Sequence, residues 1–110
     1  MKGTKIGEFE EFVLLGVCQL GEEAHSVNIL EVLEKVAERR SSLGAIYAAL
    51  DRLERKGMVT SWIGQAETGR AGRPKRHFKA TEKGVQELDR LEAIRTRMRR
   101  LIRERGQEAG

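Results

Sequence analysis

Apolar residues recur through the first third of the chain at the spacing of a helix with one buried face. Ile6, Phe9, Phe12, Val13, Gly16, Val17 and Leu20 follow the i, i+3, i+4, i+7 rhythm, and Gly21 is placed to end the element as a C′ residue. After a short loop over residues 22–25, Ser26 can cap a second helix, carried by Val27, Ile29, Leu30, Leu33, Val36 and Ala37. Ser41 or Ser42 can start a third, in which Leu43, Ile46, Leu50 and Leu53 form the apolar stripe. Its end carries a specific signal. With Gly57 at C′, Leu53 falls at C3 and Met58 at C″, the two side chains that touch in a Schellman motif.

The rhythm then changes. Residues 59–65 and 75–80 alternate crudely and carry β-branched or aromatic side chains, with Trp62 read as a packing residue. Between them, residues 66–74 hold Gly69, Gly72 and the only proline, Pro74, which neither helix nor ladder accommodates. The pattern predicts a two-stranded hairpin with a long basic tip. Thr81 caps a last helix that starts at Glu82 and runs to about Arg105, roughly 36 Å. Val85, Leu88, Leu91, Ile94, Met98 and Leu101 lie along it, and a domain this small cannot cover it all.

This order of elements is that of a winged helix-turn-helix. The expected fold is mainly α with a small β-hairpin: a winged helix-turn-helix over residues 1–80, plus a long C-terminal dimerisation helix and tail over 81–110. Composition limits the alternatives. Charged residues make up 35% of the chain, against about 25% in an average domain. The longest run without a charge, residues 12–21, is half the length a membrane span needs, so no membrane partner is expected. The first residues lack the apolar run of a secretory leader, and a single Cys18 cannot form an internal disulfide. Both features point to the cytoplasm. Cys18 falls on the apolar face of the first helix and reads as a small core residue.

Charge is distributed unevenly. Residues 1–38 hold three basic and eight acidic side chains, net −5, while residues 39–79 hold ten and three, net +7. A basic middle is the natural place for a polyanion, and the fold nominates double-stranded DNA. The third helix of such a domain enters the major groove and the hairpin reaches over the backbone. Ala45, Ala48, Ala49 and Arg52 lie opposite the apolar stripe, small enough to bring the helix close to base edges, with Arg52 able to donate to guanine or phosphate. Ser41 and Ser42 stand at the helix N-terminus, where free N–H groups favour a phosphate. Arg70, Arg73, Lys75 and Arg76 are the candidate phosphate contacts of the wing.

Catalysis has little support. There is no Ser-His-Asp set, metal-spaced cluster or glycine-rich phosphate loop, and a Cys18/His25/His77 site would need three distant residues to converge. No cofactor is expected. A rival reading is a protein-interaction module that docks through its last helix; single-stranded RNA binding ranks lower, because the wing lacks interleaved aromatics.

Several segments resemble the PadR-type transcriptional regulators. The opening Ile6-Gly-Glu-Phe-Glu-Glu-Phe-Val-Leu-Leu looks like that family's start. The run from Ser42 through Gly44, Tyr47, Leu50 and Leu53 to Glu54-Arg-Lys-Gly57 is similar to its signature. Gly72-Arg-Pro-Lys-Arg-His-Phe78 and Ala80-Thr81-x-x-Gly84 match as well, the likeness covering about residues 6–90. Where many members have Tyr-Gly entering the second helix, this chain has His25-Ser26. The short length resembles the subgroup that ends in one C-terminal helix. The resemblance implies a homodimer whose last helices pack across a two-fold axis, with Leu91, Ile94, Met98 and Leu101 as the interface, acting as a repressor-like regulator. It also implies that Tyr47 offers its hydroxyl to a phosphate; a partly buried core edge is the other reading of Tyr47. Some members of this build bind flat hydrophobic effectors through an aromatic on the last helix. This helix has none, which leaves a small-molecule effector open.

Overall fold

Three short helices, a two-stranded hairpin and one long helix follow each other in the computed structural model, which describes residues 5–64 and 74–109. The elements are α1 (Glu8–Leu20), a single 3-10 turn (Gly21–Glu23), α2 (Ser26–Lys35), α3 (Leu43–Arg55), β1 (Val59–Ile63), β2 (Arg76–Ala80) and α4 (Glu82–Ala109). This is a winged helix-turn-helix extended by a C-terminal helix, mainly α with one antiparallel hairpin.

The first three helices share a core. Val13, Leu14 and Val17 from α1, Ile29 and Leu33 from α2, and Ile46, Ala49, Leu50 and Leu53 from α3 are all at most 1% exposed. Met58, Val59 and Phe78 close it from the hairpin side. Cys18 departs from expectation: it is exposed, not a core residue. At 100° per residue Cys18 falls between Leu14 and Glu11 around α1, where an open groove against α4 leaves it uncovered. The start of α2 also differs. His25 is the N-cap, and its N–H donates to Asn28 Oδ1 at 2.8 Å in a capping box. Ser26 lies buried in the first turn and donates to Tyr47 Oη at 3.2 Å. The helix stops at Lys35, which leaves Val36 exposed.

α3 begins and ends as its residues dictate. Ser42 is the N-cap, with its Oγ accepting from the Ala45 N–H at 3.1 Å. At the other end Gly57 takes a left-handed φ of 77°. The Met58 N–H then reaches the Leu53 carbonyl at 2.9 Å and the Gly57 N–H reaches Glu54 at 3.0 Å, the two bonds of a Schellman motif. Leu53 and Met58, the predicted apolar pair, are both buried.

The hairpin pairs Val59 with Ala80 and Ile63 with Arg76, so the strands are shorter at the tip than the alternation suggested. Its base is tied to the body, since the Phe78 N–H donates to the Ala24 carbonyl at 3.0 Å. Trp62 stacks on its cross-strand partner His77 with ring centroids 5.6 Å apart. α4 starts at a crowded joint. Thr81 Oγ1 accepts from the Gly84 N–H at 3.1 Å and donates to the Gly57 carbonyl at 2.7 Å, while the Thr81 N–H donates to Met58 at 2.9 Å.

Beyond the joint α4 touches the body through α1 and β2. Leu88 is buried and Leu91 and Ile94 are half-buried, but Met98, Leu101 and Ile102 are exposed. The helix runs through to Ala109, past the end near Arg105 that its apolar stripe suggests. The described residues extend 63 Å along the longest axis. Their radius of gyration is 16.9 Å, where a compact chain of this length has about 13 Å. α4 accounts for the excess. No described helix is long and apolar enough to cross a membrane.

Candidate nucleic-acid interface

The face that α3 turns away from the core is not quite the one its leucines suggest. Ala49 is fully buried, a correction to its place among the groove-facing residues, while Leu43 is exposed. The core line runs through Ile46, Ala49, Leu50 and Leu53, so Gly44, Ala48, Asp51 and Arg55 stand directly opposite. Tyr47 and Leu43 flank them, both exposed; Ala45 is half-buried at the other margin. Reading Leu43 as core and Ala49 as surface rotated the helix. The stripe Leu43/Ile46/Leu50/Leu53 looks complete without Ala49, and only the packing partners reveal which side closes.

Arg52 is drawn off this face. Its Nε donates to Glu10 Oε2 at 2.6 Å, and Lys56 Nζ reaches Glu10 Oε1 at 2.7 Å, so one buried carboxylate of α1 gathers two cations from α3 and its C-cap. Burial alone pushes the Glu10 carboxyl up, but the hydrogen bonds from Lys56 and Arg52 outweigh it and hold the group below the usual carboxylate range. Nothing in the local sequence marks Glu10, whose partners lie more than forty residues on.

The wing is fastened to α3 by Arg76. Its Nη2 donates to Glu54 Oε1 at 2.9 Å and to Ser61 Oγ at 3.2 Å, and its guanidinium lies 5.1 Å over the Phe78 ring. Ser61 Oγ in turn donates to Glu54 Oε2 at 3.0 Å. Arg76 is therefore held in a bridge between hairpin and helix, a different employment from the phosphate contact expected of it. Its Nη1 also stands 3.9 Å from Asp51 Oδ1. Lys75 is exposed at the end of the described hairpin, and Arg70 and Arg73 lie outside the described residues.

At the N-terminus of α3, Ser42 uses its side-chain oxygen as the cap, and the Ser41 Oγ is buried with no hydrogen-bond partner among the described residues. The Tyr47 ring is exposed on the outer face rather than at a core edge, and its hydroxyl accepts from Ser26 while retaining its own proton to donate.

Cys18, His25 and His77 do not assemble. The two histidine rings meet edge to face at 6.2 Å, and no described group of three His, Cys, Asp or Glu side chains could hold a metal ion. Cys18 instead lines an open groove of about 540 Å³ between α1 and α4, with Leu15, Val85 and Leu88. A second groove of similar size, between α1 and α2, shares Leu15 and Cys18 and is closed by Phe12, Val32 and Val36. Partial burial in the groove and the charge of Asp89 push the Cys18 thiol up, favouring its protonated form. Across the first groove Arg95 bonds both oxygens of Glu11, Nη2 reaching Oε1 at 2.7 Å.

An exposed face on the third helix of a helical body, with a hairpin fastened alongside, is the arrangement of the winged helix class. The chain belongs to the transcriptional regulator PadR-like family, whose model matches residues 14–90. No curated protein sequence matches it. Among solved structures it is similar to a PadR-like transcription factor from Bacteroides fragilis, with TM-score 0.72 and 22% identity over 87% of each chain. A PadR-like regulator from Bacillus cereus superposes with TM-score 0.69 and 18% identity, over 90% of this chain and 91% of that one. Bacillus subtilis PadR in complex with operator DNA gives TM-score 0.62 and 21% identity over 76% of this chain and 46% of that one. The family and the fold are those of regulators rather than enzymes.

Proposed function

We propose that the protein is a cytoplasmic homodimeric repressor that binds a pseudo-palindromic operator, with α3 in the major groove and the wing on the flanking backbone. The observation that carries this reading is the outer face of α3. Gly44 and Ala48 bring no bulk, Tyr47 and Arg55 border them, and Arg76 holds the wing beside the helix. Phosphate contacts fall to Tyr47, Ser42, Lys75 and, in the wing tip, Arg70 and Arg73. Bacillus subtilis PadR, of the same fold, was solved on operator DNA, which supports the same partner here.

The dimer is read from α4. Half of its length projects beyond the body, and Leu91, Ile94, Met98 and Leu101, joined by Ile102, run along it, the last three exposed among the described residues. A second copy covers that stripe. Two copies of α3 then lie about one helical turn apart, ~34 Å, which makes the operator a pseudo-palindrome. The apolar grooves beside Leu15 favour one addition to this reading, a flat hydrophobic effector that alters DNA affinity.

Fluorescence anisotropy against a duplex from the protein's own promoter and a scrambled duplex, at several salt concentrations, tests the proposal. A preference of about 10³ or more at physiological salt is the expected result. Equal, steeply salt-dependent binding to both would leave a basic surface without an operator in that promoter. No binding to either would transfer α4 to the role of a partner-docking helix.

A further inference from the structure

The geometry points to Asp51 as the residue that sets the base preference of α3, its carboxylate accepting a hydrogen bond from the exocyclic amine of a cytosine. This rests on the reading of α3 as the recognition helix. Asp51 stands at the centre of the outer face, with its side chain 53% exposed. Its neighbours one turn back are Ala48, a single methyl, and Tyr47, whose hydroxyl is drawn toward α2 by Ser26. A further turn back, Gly44 is open, with only the Ser42 hydroxyl within 4 Å of where a β-carbon would sit. Of the two arginines of α3, Arg52 is diverted to Glu10 and Arg55 stands one turn further on, at the end of the helix. Arg76 approaches Asp51 no closer than 3.9 Å and keeps its short contact, 2.9 Å, for Glu54. The carboxylate is thus half-exposed, paired with Arg76 only at long range, and accepts no hydrogen bond among the described residues.

A carboxylate brought between phosphate backbones is repelled on every sequence, so it lowers affinity wherever it finds no donor. The major groove has two kinds of donor, the cytosine N4 amine and the adenine N6 amine. Adenine sets the N7 lone pair beside its amine, which repels the second carboxylate oxygen; cytosine sets only a C–H there. Asp51 thus selects cytosine. The methyl of Ala48 and the side chain of Leu43 suit the 5-methyl group of thymine. The half-site is then pyrimidine-rich on the strand that α3 reads, with a fixed cytosine opposite Asp51.

Selection from a pool of duplexes with a randomised core, using the full-length wild-type, Asp51→Asn and Asp51→Ala proteins, tests this. Thermal melts check first that all three fold alike, as an exposed position predicts. The wild type should enrich a palindromic site with one invariant cytosine per half. Asp51→Asn should exchange it for adenine, whose N6 and N7 an amide reads together, and Asp51→Ala should lose the preference altogether. Discrimination against a thymine at that position should fall from roughly 5- to 150-fold to near unity in the alanine variant. Both variants should also bind a scrambled duplex more tightly than the wild type, because the repulsion is gone. A cytosine that persists in both variants, or a wild-type site without one, overturns the assignment and leaves α3 as the recognition helix. Failure of the wild type to enrich any site removes the recognition-helix reading, and the assignment with it.

Discussion

Gly84 has no room for a β-carbon: one built there stands 2.4 Å from the Met58 carbonyl oxygen and 3.2 Å from its carbon. The obstacle is backbone, not the tip of a flexible side chain. Gly84→Ala must push the start of α4 away from the end of α3, and overpacking of this kind costs about 1–3 kcal/mol. Urea denaturation should show a midpoint lowered with little change in slope; an unchanged midpoint would mean the joint yields freely. Glu10 is a second exacting position. Its folded-state carboxyl is held below its ordinary value of 4.5 by Lys56 and Arg52, so its contribution is complete above that pH. It is lost as the pH falls through the lowered folded value. Glu10→Gln should therefore cost about 2 kcal/mol at neutral pH and flatten the loss of stability on acidification below about 4.5. Equal acid sensitivity in the two proteins would assign it to other carboxylates. Thr81 was legible because a cap is local; Gly84 stood out only within a Thr-x-x-Gly run resembling the family's, and its close approach to Met58 is made by the fold. Glu10 was not legible, since its role depends on two cations brought to it by the fold.

At the scale of elements, the third helix was read almost completely. Its cap, its stop and its length follow from Ser42, Gly57 and Met58, all acting over a few residues. Its rotation about its own axis was misjudged by the width of one residue, because Ala49 is small enough to suit either face and Leu43 sits where the core has already ended. The hairpin shows the same division between local and distant causes. A run of arginine and lysine reads as a phosphate-binding wing, yet Arg76 is engaged by Glu54 and Ser61. This leads to an expectation that separates two roles. Lys75→Ala should weaken binding to all duplexes and reduce the salt slope by about one unit. Arg76→Gln should loosen the wing from α3 and weaken operator binding with the salt slope retained. A drop of about one unit in the Arg76 variant would return that residue to the phosphate contacts.

For the whole molecule, the order of elements was enough to anticipate a helical body, a wing and a projecting helix. The direction that helix takes was not, for it depends on Glu11 meeting Arg95 from 84 residues away and on the grooves beside Leu15. Its final turn was missed as well. Beyond Ile102 the apolar stripe ends, but Arg103, Glu104 and Arg105 are strong helix formers that carry the helix on. Removing residues beyond Arg90 takes away Ile94, Met98, Leu101 and the Arg95 bridge together. Sedimentation should find the intact chain dimeric and the shortened one monomeric, with operator affinity reduced by about 10² or more, as two linked half-sites become one. A shortened chain that still pairs would place the interface elsewhere.

The joint at Thr81 has a mechanical consequence. Three hydrogen bonds and the bare Gly84 backbone fuse the stop of α3, the root of the wing and the head of α4. The reading head and the long arm thus share a pivot with little slack. The 28-residue α4 is about 42 Å of nearly rigid rod, so a tilt of about 5° at the pivot sweeps its far end through roughly 4 Å. In a paired molecule the leverage runs the other way as well. The angle at which two such arms cross fixes the separation and twist of the two heads, so a wedge slipped between the arms would detune the protein from its operator without touching a residue that meets DNA.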